Sequence, residues 1–167
     1  INEKLAQRIA SVKNLIPIIS IEGHQTETDA RRGQGVYRRA YRAMDQLEAV
    51  GSFFGVSFTV TKENIALLTD KEFVSGLVKR GIKVMMYIEY VPVEEGTESL
   101  ELNDADRELL LGKLSELRRE FPALFIAFPG DEAQFGGCLS SGRGFVHISP
   151  SGNLEPCPFA PYSDCNL

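Results

Sequence analysis

Apolar residues follow two different spacings along the chain, and these spacings predict its helices and strands. Stretches with an apolar residue every three or four positions predict helices over residues 2–13, 36–50, 70–79 and 103–121. Short apolar or alternating runs predict strands over residues 15–21, 55–61, 82–91 and 124–128. The polar stretches 22–34 and 93–102 are predicted to be loops. A capping box at Thr69–Glu72 is expected to begin the third helix.

The order of these elements predicts the fold class. Strand and helix alternate, which is typical of an α/β protein with a parallel sheet and right-handed crossovers. The strand–helix units are too few to close a barrel, so residues 1–130 are expected to form an open curved sheet or part of a barrel. Residues 131–167 are expected to form a separate region that contains a β-hairpin.

Polar residues lie at the carboxyl ends of the first two predicted strands, where parallel sheets bind ligands. Ser20 and Glu22 share one face of the first strand, because side chains alternate along a strand. A polar stripe on and just beyond the second strand consists of Ser57, Thr59, Thr61 and Asn64. Such groups can bind a ribose diol or an amino group. The alternatives are a strand that runs into a solvated loop and a sheet edge in water.

The third strand and the first loop add further candidates. Met85, Tyr87 and Glu89 share one face of the third strand, and the opposite face is expected to pack on helices. Glu89 is expected to be either a ligand contact or a solvated carboxylate. Arg31 and Arg32 follow the first strand, and their guanidinium groups are candidates for binding a carboxylate or phosphate.

The cysteines are confined to the last thirty residues. Cys138 and Cys157 flank two short predicted strands joined by a turn at 150–153, and Cys165 follows. A hairpin can bring thiolates from its flanks together, as proteins do to hold a metal ion or an iron–sulfur cluster. We expect a reducing, cytoplasmic location, and there an odd number of cysteines favours thiol or metal chemistry over disulfides.

The net charge and the hydropathy of the sequence limit the kinds of partner that we expect. The net charge of −5 argues against a nucleic-acid partner. An apolar run long enough to cross a bilayer is absent from the sequence, so no membrane span is expected. The half-barrel would leave a sheet edge and apolar surface uncovered, which predicts a homodimer formed through that edge or its helix.

Two motifs resemble one known family. Cys138, thirteen intervening residues, Gly152, four more and Cys157 resemble the cysteine–glycine–cysteine signature that opens the SPASM or twitch extension of radical S-adenosylmethionine (radical SAM) enzymes. Upstream, Ser20–Gly23, followed by Asp29, Arg32–Gly33 and Gly35–Tyr37, resembles the fourth barrel strand of that family and the loop after it. The two matches occur in the family's order and together span nearly the whole chain.

The resemblance implies a fold and a set of ligands. Residues 1–130 would be the C-terminal part of a (β/α)6 partial TIM barrel, and residues 131–167 the start of the auxiliary-cluster region. S-adenosylmethionine would lie near six side chains: Ser20, Glu22, Arg32, Thr59, Thr61 and Asn64. An auxiliary 4Fe–4S cluster would be held by Cys138, Cys157 and, as a further candidate, Cys165.

The resemblance also implies an activity. The parent enzyme would be an oxidoreductase that cleaves S-adenosylmethionine to a 5′-deoxyadenosyl radical. This radical would abstract hydrogen from a peptide or a small-molecule cofactor precursor. The family binds its catalytic cluster through an N-terminal Cys-x3-Cys-x2-Cys loop, whereas this sequence has no cysteine before Cys138. The chain alone is therefore expected to be inactive.

Two other interpretations of the cysteines remain open at the level of sequence. His147 and the three cysteines could form a Cys3His zinc site, which would make the chain a non-catalytic metal-binding module. In the other interpretation, the chain is a plain α/β domain whose cysteines bind nothing.

Overall fold

The computed structural model describes residues 1–93, 95–140 and 142–167, so Glu94 of the predicted 93–102 loop and Ser141 of the predicted cysteine region lie outside the described residues. The chain divides into two compact units, Ile1–Phe128 and Pro129–Leu167. Within the described residues, we find no helix with the length and apolar character needed to cross a membrane.

A parallel sheet forms the centre of the first unit. Its four strands in the described part of the chain are β1 (Ile18–Ser20), β2 (Gly55–Val60), β3 (Val84–Glu89) and β4 (Leu124–Phe128), and they lie side by side in chain order. All neighbouring strands run parallel. The predicted α/β class and its parallel sheet are therefore confirmed. β1 is shorter than the predicted strand, and the apolar residues before it, Leu15 and Ile16, are about half exposed.

Helices precede the first strand of this unit and connect its later strands. They are α1 (Glu3–Ser11), α2 (Gln25–Arg32), α3 (Val36–Ala49), α4 (Ile65–Leu68), α5 (Lys71–Lys79) and α6 (Asp104–Glu120), with a 3-10 turn at Glu98–Leu100. Asparagine or aspartate side chains cap α1, α5 and α6, which satisfies backbone N–H groups at these helix starts.

Two sequence-based predictions about the helices are wrong. The N-cap of α5 is Asp70, and Thr69 instead ends α4, with its hydroxyl donating to the Ile65 carbonyl (2.8 Å). The predicted loop 22–34 contains α2. This helix has almost no apolar residue and buries only Thr28, so it produces no apolar periodicity that could reveal it.

The two faces of the sheet have different surroundings. One face packs on helices and is fully buried; it includes Val56, Phe58, Met85, Tyr87 and Phe125. The Tyr87 hydroxyl donates to the Leu68 carbonyl of α4 (2.9 Å), and burial raises the pKa of this phenol. The opposite face, which carries Met86 and Ile88 of β3, is only partly buried; we call it the open face. The prediction that this face of β3 packs on helices is therefore wrong.

The second unit contains short elements. A 3-10 segment at Gly130–Phe135 is followed by β5 (His147–Ile148) and β6 (Leu154–Glu155), which pair antiparallel. Between them the Gly152 N–H donates to the Ser149 carbonyl (2.9 Å), and Gly152 has a positive φ of 86° that a residue with a side chain rarely adopts.

Candidate functional site

A pair of serine hydroxyls marks the open face at the end of β1. The parallel register places Ser20 beside Ser57 and Ser57 beside Met86. The two serine Oγ atoms lie 2.9 Å apart and are hydrogen-bonded to each other. One of the two hydroxyls donates to the other. The pair therefore retains one O–H donor and further oxygen lone pairs that can bind a ligand.

Glu22 lies just beyond β1 and is 2% exposed. Its Oε2 accepts from the backbone N–H of Thr59 (3.2 Å), and its Oε1 accepts from the Thr59 hydroxyl (3.5 Å). The same Oε1 forms ion pairs with Arg32 Nη2 (2.5 Å) and Arg31 Nε (3.5 Å). A buried carboxylate needs such partners, because an unpaired charge in the interior is strongly unfavourable. Glu22 therefore fixes α2 to the end of β2.

Arg31 extends this connection to β3. Its guanidinium carbon lies 5.3 Å from the ring centroid of Tyr90, just after β3, in cation–π geometry. The Tyr90 hydroxyl is hydrogen-bonded to the Thr97 hydroxyl (2.8 Å). Arg31 and Arg32 thus lie close to the strand ends, as expected. Both guanidinium groups, however, form ion pairs with Glu22.

Thr28 is a site residue that the sequence analysis missed. It is fully buried, and its Oγ1 accepts from the backbone N–H of Glu22 (3.1 Å). This hydrogen bond holds α2 against the end of β1. The only available signal was a threonine three residues before Arg31, and this does not distinguish a buried residue from a solvated one.

Asn64 closes the end of β2. Its Oδ1 accepts from the Thr61 N–H (2.8 Å), and its Nδ2 donates to the Thr59 carbonyl (2.9 Å). The structure therefore links Thr59, Thr61 and Asn64 as one group. The Asn64 amide completes the backbone hydrogen bonding where the strand ends, so its side chain is largely occupied by the protein itself.

Asp29 joins α2 to α3. Its Oδ1 accepts from the backbone N–H of Tyr37 (2.8 Å), and this hydrogen bond holds the pKa of the Asp29 carboxyl below its ordinary value. Gly33, between the two helices, has a φ of 99°, which glycine adopts most readily. The segment after β1 consequently consists of two helices, α2 and α3, joined by a short turn that the Asp29 hydrogen bond holds in place.

Glu89 at the end of β3 is committed to α6. Its carboxylate pairs with Arg107 Nε (2.8 Å), and the hydrogen bond raises the pKa of the Arg107 guanidinium. Glu101 and Asp104 also lie within ion-pair distance of Arg107. Glu89 is therefore not the predicted solvated carboxylate, because it is a largely buried ion-pair partner of Arg107. Its role as a ligand contact stays a prediction.

The cysteines all belong to the second unit, and none forms a disulfide in the part of the chain that the structure describes. Cys138 is exposed; its Sγ accepts from the Ser140 N–H (3.5 Å). Buried Glu132 accepts from the Leu139 N–H (3.0 Å) and holds the Cys138 segment in place. Hydrogen bonds to cysteine sulfur tune the reduction potential of the iron–sulfur clusters that such cysteines hold.

Cys165 lies beside β6, because the Leu154 N–H donates to its carbonyl (2.9 Å). Cys157 follows β6 by two residues and is half-buried. Across residues 1–93, 95–140 and 142–167, no three His, Cys, Asp or Glu side chains are grouped closely enough to hold a metal ion. The Nε2 of His147 lies 3.8 Å from the Glu155 carboxylate.

Comparison with known proteins gives one curated relative and several similar structures. The chain is 31% identical to the AdoMet-dependent heme synthase of Methanosarcina barkeri (strain Fusaro / DSM 804), over 99% of this chain and 53% of the synthase. No family model matches the chain. Streptococcus suis SuiB bound to S-adenosylmethionine matches 100% of this chain and 43% of its own length, with a TM-score of 0.70 and 18% identity. The structure of anSMEcpe with bound AdoMet and the Cp18Cys peptide matches 100% of this chain and 51% of its own length, with a TM-score of 0.70 and 16% identity.

The chain is therefore similar over nearly its whole length to a curated AdoMet-dependent enzyme and to the AdoMet-bound structures of SuiB and anSMEcpe, which supports the predicted resemblance to radical SAM enzymes. It spans about half the length of the curated relative that it matches. The fold match includes the parallel sheet whose strand ends carry the Ser20–Ser57 pair and Glu22.

The donor chemistry of the second unit fits an iron–sulfur cluster. Its three unpaired cysteines supply thiolate sulfur, the ligand that such clusters require. The described residues do not gather the three sulfurs at one point. Metal binding and folding are commonly coupled, so ligands can be brought together by the metal itself. The ligand roles of Cys138, Cys157 and Cys165 stay predictions.

Proposed function

We propose that this chain supplies part of the S-adenosylmethionine site of a radical SAM oxidoreductase. The observation that carries the proposal is the buried Glu22 carboxylate, which holds Arg32 and Thr59 beside the Ser20–Ser57 pair at the carboxyl ends of β1 and β2. Ligands of parallel α/β sheets bind at these ends. Both SuiB and anSMEcpe, whose folds match, have structures with this cofactor bound.

The open face offers groups that match different parts of S-adenosylmethionine. The hydroxyls of Ser20 and Ser57 can bind the polar ribose or amino groups, and partly buried Met86 and Ile88 offer apolar surface on the same face. Thr59, beside Ile88 in the sheet register, is hydrogen-bonded to Glu22. Because its carboxylate is already bonded to Arg32 and Thr59, Glu22 acts as a positioning residue in this proposal.

In the whole enzyme, one electron from the catalytic iron–sulfur cluster, which a Cys-x3-Cys-x2-Cys loop outside this sequence would hold, would reduce S-adenosylmethionine and break its bond between sulfur and C5′. The products would be methionine and a 5′-deoxyadenosyl radical. We propose that this radical takes a hydrogen atom from a peptide or from a small cofactor precursor. The curated relative is a heme synthase, and anSMEcpe has been solved with a peptide, so relatives exist in both substrate classes. The chain alone, without a cysteine before Cys138, is proposed to be inactive.

For the second unit, we propose that Cys138, Cys157 and Cys165 are ligands of an auxiliary 4Fe–4S cluster of the SPASM or twitch type. Such a cluster supplies an electron-transfer centre when bound. The partial barrel of residues 1–130 and the cluster region of residues 131–167 are proposed as the corresponding domains. A non-catalytic zinc module is the second candidate, supported by the placement of His147 and the three cysteines in the same unit.

The first proposal predicts a binding defect in a Glu22→Gln variant. A glutamine oxygen can still accept from the Thr59 N–H, but it cannot neutralise Arg31 and Arg32, so the arginines would leave their positions. Loss of a charged hydrogen bond corresponds to about a tenfold weaker affinity. The measurement is an NMR titration of this chain with S-adenosylmethionine, following the backbone amides of Ser20 and Thr59.

The control for this titration is Glu120→Gln, which breaks the exposed Lys71–Glu120 ion pair between α5 and α6 and leaves Glu22 and its partners unchanged. It should bind as the unchanged chain does. If the unchanged chain showed no amide shifts at the ends of β1 and β2, the site would be wrongly placed. If Glu22→Gln bound with unaltered affinity, the positioning role would be wrong.

We also propose that the free edge of β1 is an interface between two copies of the chain. β1 has a sheet neighbour on one side only among the described residues, and exposed Leu15 and Ile16 lie just before it. An unpaired edge with apolar neighbours favours association. Light scattering is expected to give a dimer, and Ile16→Lys should shift it towards monomer; a monomer at all concentrations would contradict the proposal.

A further inference from the structure

A surface groove outside the proposed cofactor site has an unusual composition. It has a volume of about 350 Å³ and lies along α3; we call it the tyrosine groove. Its lining residues are Gln25, Tyr37, Arg38, Tyr41, Arg42, Asp45 and Arg80. Three cations and one anion thus surround two tyrosines, in a chain whose net charge is −5.

The tyrosines form the floor of the groove. The rings of Tyr37 and Tyr41 lie 4.1 Å apart between centroids, and the Arg80 guanidinium lies 4.7 Å above the Tyr41 ring. Arg80 also forms an ion pair with Asp45. Partial burial raises the pKa of Tyr41, so its hydroxyl remains a neutral donor. The two tyrosine rings therefore give the groove an apolar patch, with hydrogen-bond donors beside it.

Arg38 and Arg42 line the groove and make no contact that holds the fold together among the described residues. Both are exposed, and neither has a hydrogen-bond or ion-pair partner among the residues that the structure describes. They are four positions apart on α3, so their like charges face each other and slightly destabilise the helix. A pair of unneutralised guanidinium groups beside packed aromatic rings can bind carboxylates bidentately.

The shape and composition favour a protein segment as that partner. The groove is open along the surface, and tyrosine and arginine are the residue types enriched at the energetic centres of protein interfaces. Guanidinium groups bind carboxylates bidentately, and tyrosine rings add apolar contact area. We propose that the tyrosine groove binds an acidic segment of a partner protein, with Glu or Asp carboxylates on Arg38 and Arg42 and an apolar side chain over the tyrosines.

The test uses this chain and a fluorescein-labelled hexaglutamate peptide, with hexaglutamine as the uncharged probe, followed by fluorescence anisotropy. The double variant Arg38→Gln with Arg42→Gln is expected to bind hexaglutamate about tenfold more weakly than the unchanged chain. The matched control, Arg8→Gln with Arg119→Gln, removes the same charge from exposed positions on α1 and α6. It should bind within about twofold of the unchanged chain.

Three results would overturn the proposal. Equal weakening in the two double variants would show that the peptide senses only total charge. Equal binding of hexaglutamine would remove the role of the carboxylates. Displacement of the peptide by inorganic phosphate at the same concentration would identify a small-anion site instead.

A separate readout distinguishes binding from a structural role. Because Arg38 and Arg42 repel each other, the double variant is expected to melt at the same temperature as the unchanged chain or slightly above it. A clearly lower melting temperature would show that the arginines stabilise the fold, and would count against a surface kept for a partner. Neither the peptide titration nor the melting measurement involves S-adenosylmethionine, so their outcome tests the tyrosine groove separately from the proposed function.

Discussion

Replacing Cys138 or Cys157 with serine is expected to abolish iron and sulfide binding by anaerobically reconstituted protein. Each thiolate is a proposed cluster ligand, and a serine hydroxyl replaces it poorly because iron–sulfur clusters are held by sulfur. The unchanged chain should become brown with broad visible absorption, and the variants should stay colourless. Iron and sulfide analysis together with the absorption spectrum measure the effect.

The control for this experiment is Ser140→Ala, which removes a hydroxyl 3.2 Å from the Cys138 sulfur but keeps the ligand. It should retain iron. Since the described residues do not gather the three sulfurs, iron binding should also order the second unit and slow its proteolysis. Zinc without iron or sulfide would favour the metal-binding module. Unchanged iron content in both cysteine variants would contradict the ligand assignment.

Replacing Gly55 with alanine is expected to destabilise the first unit by about 1–3 kcal/mol. A Cβ at this position would lie 2.4 Å from the Val84 carbonyl oxygen and 2.9 Å from Ile18 Cδ1. The first of these atoms is backbone and cannot turn aside, so β2 would have to move away from β3. Urea unfolding followed by circular dichroism measures the change in the free energy of unfolding.

Gly112→Ala is the matched control, because Gly112 lies within α6 and an added Cβ meets no atom within 4 Å. Alanine in a helix is favoured over glycine by about 1 kcal/mol, so this variant should be slightly more stable than the unchanged chain. Equal effects of the two substitutions would show that the close packing between β2 and β3 has no energetic weight.

Apolar spacing sufficed to predict the parallel sheet and most of its helices. Four strands were predicted and observed, and β4 begins and ends where predicted, at Leu124 and Phe128. The helices that bury an apolar stripe, such as α3 and α6, were also predicted, because their stripe produces the spacing. The strand ends were harder to place: β1 is limited to Ile18–Ser20.

The candidate cofactor site was predicted only in part. The alternation of side chains placed Ser20 and Glu22 on one face, and their hydrogen bonds at the strand ends agree with that placement. Glu22 holds Arg32 and Thr59, which are separated from it by ten and 37 residues, and no local pattern reports such pairings. Thr28 was missed for the same reason, since its burial depends on how α2 packs.

The sequence by itself determined the α/β class, the order of strands and helices along the chain and the family resemblance, because these depend on periodicities and motifs within short stretches of chain. Only the tertiary structure decided which face of the sheet the helices cover, that residues 25–32 are helical and that Glu22 is paired. Those features depend on contacts between residues distant in sequence. The helix α2, for example, has no apolar stripe and is held by buried Thr28 and by the pairing of its arginines with Glu22.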